Sequence, residues 1–377
     1  MSIFPPVAPS GLWTRSCLFM VFPVRSVYSS FAGNGWMGTS VPEARLTFRE
    51  KGTRNGMIDE EIRKKFQGQA EMLANRVKKK FKHLRKTFAR EQIDVFRLYD
   101  WDIPEIRAVV DWYGGHLVVG EYTRKQSVPE WLPMMGEALG RALDVPPEHI
   151  HLKERFYGIK EGKRYKRVDY TDKKIVMRER DLLFSVNPYD YVDTGLFSDH
   201  RNTRVMVRNM AKDRDFLNLY CYTGAFTCYA AKGWARSSVS VDRSETAINW
   251  VRDNFRLNGI SETEHTLVRE HTLPFLKKAA AKGLEFDLAV VDPPSFSNTR
   301  AHGTDFDVQR DHPVMLRMVV QLMRKNGTIF FSTNHQSFTP CFEHLEVRGI
   351  REITEETIPV DYITPRKKIH RCWRIEI

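Results

Sequence analysis

From Asp215 onward the chain alternates short apolar runs with helical stretches: FLNLY, a helix over 225–233, SSVSV, a helix over 244–257, HTLV, a helix over 272–282, FDLAVV, a helix over 305–325, and TIFFS. Few folds accommodate this. Apolar strands of five or six residues separated by helices predict an open, mostly parallel α/β sheet with helices on both faces. In such sheets ligands bind beyond the carboxyl ends of the strands, where strand order reverses, so the residues that follow each strand are the candidate site.

After the first strand comes NLYCYTGAF (218–226), with a single glycine, Gly224. A dinucleotide cofactor needs G-x-G-x-x-G so that its pyrophosphate can approach a helix N-terminus, which argues against NAD and FAD here. One glycine closing a strand-to-helix turn suits a ligand without phosphates. The second strand ends in Asp242, which either accepts hydrogen bonds from the two hydroxyls of a ribose or caps the next helix, since Ser244 and Glu245 follow. Glu270 and His271 follow the third strand, and either could reach an adenine edge. The fourth strand, in FDLAVVDPPSFSNTR (286–300), stops at Asp292, Pro293 and Pro294, with Phe296 just beyond. The prolines stiffen that turn, the carboxylate can accept from the N–H edge of a base, and the phenyl ring can stack on it.

The 377 residues, 42% of them hydrophobic, suffice for two domains. Residues 57–190 read as a small α+β domain. Its first helix, over 58–92, places Phe66, Met72, Leu73, Val77, Phe81, Leu84 and Phe88 at three- and four-residue steps, with acidic residues first and basic residues last. Strands follow over 95–100, 106–113 and 116–123, the last two joined as a hairpin across Gly114-Gly115, then a helix over 129–143, a strand over 149–157 and an extended stretch over 175–189. The net charge of +12 calls for a polyanionic partner, nucleic acid first and an acidic membrane surface second. Candidate RNA contacts are Lys78, Lys79, Lys82 and Arg85 on the helix and Lys163, Arg164, Lys166 and Arg167 in the Tyr-containing basic loop 158–174.

Five cysteines, odd in number and without C-x-x-C pairs, argue against disulfides and metal sites and for a reducing cytoplasm. The longest apolar run, CLFMVFPV (17–24), is too short to span a membrane. Residues 1–42 contain no Asp or Glu and only two Arg, which reads as a disordered tail, a targeting segment, or residues upstream of a start at Met37 or Met57; residues 1–56 are set aside.

DPPSF, together with NLYCYTGAF and VSVDRS, resembles the class I S-adenosylmethionine-dependent methyltransferases that act on nucleic-acid bases. YVDTGLFSDHR (191–201), DFLNLYCYTGAFT (215–227), NFRLNG (254–259), DPPSFSN (292–298), FDVQRDH (306–312) and IHRCWRI (369–375) extend the likeness to the RlmK-like methyltransferase half of the bacterial bifunctional 23S ribosomal RNA guanine methyltransferases, relatives of the RlmI-like family. LANRVKKKFKHLRK and RLYDWDIPE carry it into the small domain. The resemblance implies a Rossmann-like domain over 191–377 with a seven-stranded sheet, S-adenosylmethionine as cofactor, and large-subunit ribosomal RNA or its precursor as partner. It implies that Tyr222, Thr223 and Gly224 flank the methionine moiety, that Asp242 binds the ribose, and that Asp292 to Phe296 face the target base. Asn218, Tyr220 and Arg243 complete the candidate cofactor set, and Asp199 and Arg201 are expected along the cofactor side of the cleft. His271, after Glu270, stands where the family usually has Asp.

Methylation at carbon 5 of a pyrimidine needs a cysteine nucleophile, which related enzymes carry after the fifth strand. This chain has Ser332, Thr333 and Asn334 there, and Cys341, beyond, is expected to be buried on a helix. Guanine N7 has an in-plane lone pair and no proton to lose, so it needs only placement. An exocyclic amine fits the same residues, with the Pro293 carbonyl as acceptor; local chemistry leaves both open and the resemblance points to N7. A non-catalytic RNA-binding or assembly protein and a DNA amino-methyltransferase are the rival readings. The bifunctional relatives' second methyltransferase does not fit in this length, so one reaction is expected.

Overall fold

The computed structural model describes residues 60–124, 126–156, 167, 169–297, 306–364 and 367–377. Helix α1 (Glu60–Arg90) buries Ala70, Leu73, Val77, Leu84 and Phe88 along one stripe. Glu60 and Glu61 in its first turn and Arg90 in its last match the helix dipole. Met72, expected on that stripe, is 46% exposed, because one residue away from Leu73 is a rotation of about 100°.

Strands β1 (Val95–Asp100), β2 (Ala108–Tyr113) and β3 (His116–Thr123) are antiparallel neighbours. The β2–β3 turn uses Gly114 and Gly115 at φ 50° and 105°, values glycine adopts without a Cβ penalty. Helix α2 (Trp131–Leu143) then carries the chain over, so that β4 (Ile150–Phe156) pairs parallel to β3. α1 and α2 cover one face of this sheet around Leu98, Val110, Leu117, Val119, Met135 and Leu139. The stretch 175–189, expected to be a single extended run, folds back as a hairpin of β5 (Ile175–Glu179) and β6 (Leu182–Val186). Arg180 takes the turn at φ 60°, a left-handed conformation that the sequence does not advertise with Gly or Asn.

Next come α3 (Arg201–Met210), β7 (Asp215–Leu219), α4 (Ala225–Lys232), β8 (Ser237–Asp242), α5 (Glu245–Asn258), β9 (His265–Arg269), α6 (Thr272–Ala281), β10 (Phe286–Val291), the short pair β11 (Phe296–Ser297) and β12 (Phe306–Asp307), and α7 (Val308–Val320). The last elements are β13 (Met323–Thr333), β14 (Gly349–Glu352), α8 (Thr354–Thr357) and β15 (Arg371–Glu376). The helix expected over 305–325 is shorter because the chain enters β13 at Met323, which already pairs with Phe286. Cys341, expected on a helix, lies in irregular backbone and is partly exposed.

The seven strands run in the order β14-β15-β13-β10-β7-β8-β9. β15 is antiparallel to both its neighbours, whereas β13, β10, β7, β8 and β9 are parallel. Strand order reverses between β7 and β10, which sets the cleft there. Alternate residues face opposite ways: Leu217, Leu219, Ala289, Val291 and Phe331 pack with Phe275, Leu276, Met315 and Leu316 of α6 and α7, whereas Phe216, Leu288, Val290 and Phe330 pack with Val207, Phe226 and Ala230 of α3 and α4.

The β5–β6 hairpin is bound to this sheet domain through α5. Asn254 Oδ1 accepts from Ser185 N at 2.8 Å, Asn258 Oδ1 accepts from Leu183 N at 2.9 Å, and Trp250 Nε1 donates to Ser185 O at 2.7 Å. The two asparagines of NFRLNG therefore act as a side-chain edge for β6. Among the described residues no helix is long and apolar enough to cross a membrane.

Candidate active site

A cleft of about 560 Å³ opens at the switch point. Its walls come from the loops after β6 (Tyr191, Asp193, Phe197), β7 (Tyr220, Tyr222), β8 (Asp242, Arg243, Ser244), β9 (Glu270, His271, Thr272), β10 (Asp292, Pro294, Ser297) and β13 (Asn334), with Trp250 and Phe306.

Asp242 had two readings, and the structure gives the helix-cap role to Ser244. The N-cap of α5 is Ser244, whose Oγ accepts from Ala247 N at 3.2 Å. Asp242 instead lines the cleft, its Oδ2 accepting from Tyr222 N at 3.1 Å and its Oδ1 from Ser244 N at 2.8 Å. Burial raises its carboxyl pKa, and these two N–H donors oppose the rise. Tyr220 and Tyr222 sit at φ 58° and 49°, and Gly224 at φ 74°; three left-handed residues in one turn are the kind of strain that sites retain. Gly224 also packs so closely on α5 that a Cβ there would lie 2.6 Å from Val251 Cγ1.

Other sequence candidates lie beneath the cleft surface. Thr223 is buried, its hydroxyl donating to Gly195 O at 2.6 Å, and its carbonyl accepts from Asn254 Nδ2 at 2.8 Å. Asn218 is 1% exposed and donates to Thr227 Oγ1. Both brace the loop from below. Arg201 does not line the cofactor side: it is 2% exposed, with its guanidinium turned to Asp361 Oδ1 at 3.1 Å and Val95 O at 2.8 Å. Asp199 is not in the cleft wall either; His370 Nδ1 lies 3.1 Å from its Oδ2. Glu270 and His271 both reach the cleft, Glu270 while paired to Lys278 at 2.5 Å.

At the other end, Ser332 Oγ donates to Asp292 Oδ1 at 2.6 Å, and the Asp292 side chain keeps 29% of its surface. Pro293 is buried and Pro294 faces the cleft. Phe296 is absent from the wall because β11 pairs with β12, Ser297 opposite Phe306. Adjacent strand residues face opposite ways, so Ser297 and Phe306 turn in while Phe296 turns away. Phe306 lies 5.6 Å from the Tyr220 ring. Sequence reading missed Phe306, Phe197, Trp250 and Asp193; the YVDTGLF motif contained two of them and FDVQRDH a third, but neither motif assigned them a role.

No cysteine among the described residues lines the cleft. Cys372, opposite Ser332 on β15, is the nearest thiol in register, yet it is fully buried and burial pushes its pKa well up, with Asp292 adding to the rise. Of the basic candidates, Lys78, Lys79, Lys82 and Arg85 are exposed on α1. Arg167 is committed within the protein, paired to Asp190 at 2.9 Å and Asp172 and stacked over Tyr170 and Tyr191. Lys163, Arg164 and Lys166 lie outside the described residues, as do residues 1–56.

A parallel sheet with an acidic residue closing its second strand, an aromatic-walled cleft and no phosphate cradle is the architecture of a class I methyltransferase. The family model of S-adenosylmethionine-dependent methyltransferases matches residues 111–355, and the chain belongs to that family. Within the family it is similar to "Ribosomal RNA large subunit methyltransferase K" of Neisseria meningitidis, 40% identical over 309 residues, 80% of this chain and 86% of that protein. It is also 40% identical over 307 residues to "Ribosomal RNA large subunit methyltransferase K/L" of Shewanella amazonensis, covering 80% of this chain and 43% of that protein. A methyltransferase crystallised with S-adenosylhomocysteine shares the fold at a TM-score of 0.66 and 22% identity over 82% of both chains. The cofactor is S-adenosylmethionine.

The walls fit it. Its sulfonium cation is attracted to aromatic faces such as those of Tyr220, Tyr222 and Phe306, and the Asp242 carboxylate has acceptor capacity beyond its two backbone donors.

Proposed function

We propose that the chain methylates N7 of a guanine in large-subunit ribosomal RNA. The observation that carries this is Asp292: Ser332 holds one of its oxygens, the side chain remains partly open, and no thiol of the described residues shares the cleft. The name and 40% identity of the Neisseria relative support the RNA and the subunit.

S-adenosylmethionine supplies an electrophilic methyl group. Asp242 accepts from its ribose hydroxyls, and Tyr220, Tyr222 and Phe197 enclose it. Asp292 accepts from N1–H and the amino group of the guanine. Since N7 lies on the opposite edge of the purine, a base held that way points its lone pair away from the carboxylate and towards the cofactor. Phe306 takes the stacking role first expected of Phe296. No base is needed, because N7 carries no proton; the product ring is cationic, and the Asp292 carboxylate offsets that charge. Placement and exclusion of water then supply the rate. Lys78, Lys79, Lys82 and Arg85 contact RNA phosphates, at about 0.7–0.9 of salt slope per contact.

The purified chain, given S-adenosylmethionine and either protein-free large-subunit RNA or duplex DNA, is expected to yield 7-methylguanosine from RNA and nothing from DNA on nucleoside digestion. Formation of N2-methylguanosine or a methylated adenosine would overturn the N7 assignment, and transfer to DNA alone would overturn the RNA assignment. Replacing the four α1 basic residues by Ala is expected to raise KM for RNA and lower the salt slope by roughly 3.

A further inference from the structure

Directly behind Asp292 lies a buried group of titratable residues that the reaction above does not use. His200 ends a 3-10 turn (Ser198–His200), is 5% exposed, and places Nε2 3.5 Å from Asp292 Oδ2 and 3.8 Å from Asp199 Oδ2. Its Nδ1 is buried and finds no partner. Two carboxylates offer only acceptors, so Nε2 carries the proton and Nδ1 is bare.

His370 stacks flat on His200, with ring centroids 4.2 Å apart and 8° between planes. Both of its nitrogens are engaged. Nε2 lies 3.0 Å from Thr357 Oγ1, whose hydroxyl is also 2.8 Å from Thr354 O, and Nδ1 faces the Asp199 carboxylate at 3.1 Å. The ligand atoms of Asp199, His200 and His370 lie within 4.8 Å of one another, and both His370 nitrogens already have protein partners in Asp199 and Thr357. The Asp199–His370 pair is a hydrogen-bonded support against which His200 is stacked, with Phe226 edge-on at 5.7 Å.

We propose that His200 is a positioning residue for the methyl transfer, its Nε2–H aiming the open oxygen of Asp292 at the target base while Ser332 holds the other. This deepens the reading of Asp292 given above and rests on it. The 3.5 Å gap is wider than a formed hydrogen bond, a separation that sites commonly tighten only with substrate bound. The groups that face His200 are Asp199, Asp292, His370 and, further off, Arg204; burial, His370 and Arg204 all disfavour its charged form, against the two carboxylates. A neutral donor suits the task, since it orients Asp292 without neutralising it.

His200→Phe keeps the ring and its stacking and removes the donor; His200→Gln restores an N–H close to the Nε2 position. With the full chain, large-subunit RNA and S-adenosylmethionine, His200→Phe is expected to lower kcat about 10- to 50-fold, to leave S-adenosylhomocysteine affinity within about twofold, and His200→Gln to recover most of the loss. Full activity in His200→Phe, or no recovery in His200→Gln with cofactor affinity intact, would overturn the proposal. Asp292→Ala, run alongside, separates the two readings: loss there with an active His200→Phe defeats the positioning role alone, and full activity in Asp292→Ala defeats both. Histidine-selective imidazole NMR needs no RNA: a His200 proton on Nε2 that shifts in Asp292→Asn is expected, and a proton on Nδ1 with Nε2 bare would refute the geometry.

Discussion

Asp242→Ala is expected to weaken S-adenosylmethionine binding by about 10²- to 10³-fold while the protein stays folded. The carboxylate ends β8 at the cleft, accepting from Tyr222 N and Ser244 N. Its remaining lone pairs can take two ribose hydroxyls, and hydrogen bonds to a charged acceptor contribute about 1.5–3 kcal/mol each. Two of them lost, at the lower end of that range, amount to roughly 3–4 kcal/mol, and every 1.4 kcal/mol is tenfold. A second cost accompanies this: Tyr222, at φ 49°, loses the acceptor that fixes its backbone. Asp242→Asn keeps the size and one acceptor oxygen and should cost only about tenfold. Calorimetric titration with S-adenosylhomocysteine gives the affinities, and thermal unfolding checks the fold. An affinity for Asp242→Ala within threefold of the parent would remove Asp242 from the ribose site.

The largest stability effect is expected at Glu179, on the β5–β6 hairpin rather than in the catalytic sheet. Glu179 is fully buried and receives Arg204 in a bidentate pair, Nε to Oε1 at 2.8 Å and Nη2 to Oε2 at 2.7 Å, with Tyr229 Oη donating at 2.9 Å. Arg204, itself 1% exposed, also donates to Phe197 O in the cleft loop at 2.9 Å. Glu179→Ala leaves that guanidinium buried without its counter-ion, which costs about 3–5 kcal/mol. Against a typical total of roughly 5–15 kcal/mol, that is a large share. Glu179→Gln, which fills the same space and still accepts one hydrogen bond, should lose less. Urea unfolding followed by tryptophan fluorescence measures both; an Ala variant within about 0.5 kcal/mol of the parent would show that the pair is not a major support. Because Arg204 braces Phe197, a weaker cofactor affinity should accompany the instability.

The sheet was legible because its signal is local: each strand is a short apolar run and each helix has its own period. α1 was equally legible, its apolar stripe extending over several turns, and only Met72 misled, being one step off the stripe. The strand ends that carry Asp242 and Asp292 followed from topology alone. What failed was direction. Phe296 was expected to face the base and Phe306 was overlooked, because which of the two turns into the cleft depends on a two-residue strand pairing that leaves no periodic trace. Arg201 stands two residues from Asp199, yet the start of α3 turns it away toward Asp361, a residue 160 positions later. His200, Asp292, Ser332 and His370 meet only because β10, β13 and β15 are neighbours. No spacing in the chain announces that, and their contact had to come from the structure.

The central claim, that this cleft marks a guanine of large-subunit RNA at N7, is tested most directly in cells lacking the gene. Large-subunit ribosomal RNA from the deletion strain and its parent, digested to nucleosides and quantified by mass spectrometry, should differ by the loss of 7-methylguanosine, restored by the wild-type gene but not by Asp292→Ala. Unchanged 7-methylguanosine with a loss of 5-methylcytidine or of an exocyclic methyl group would contradict the account.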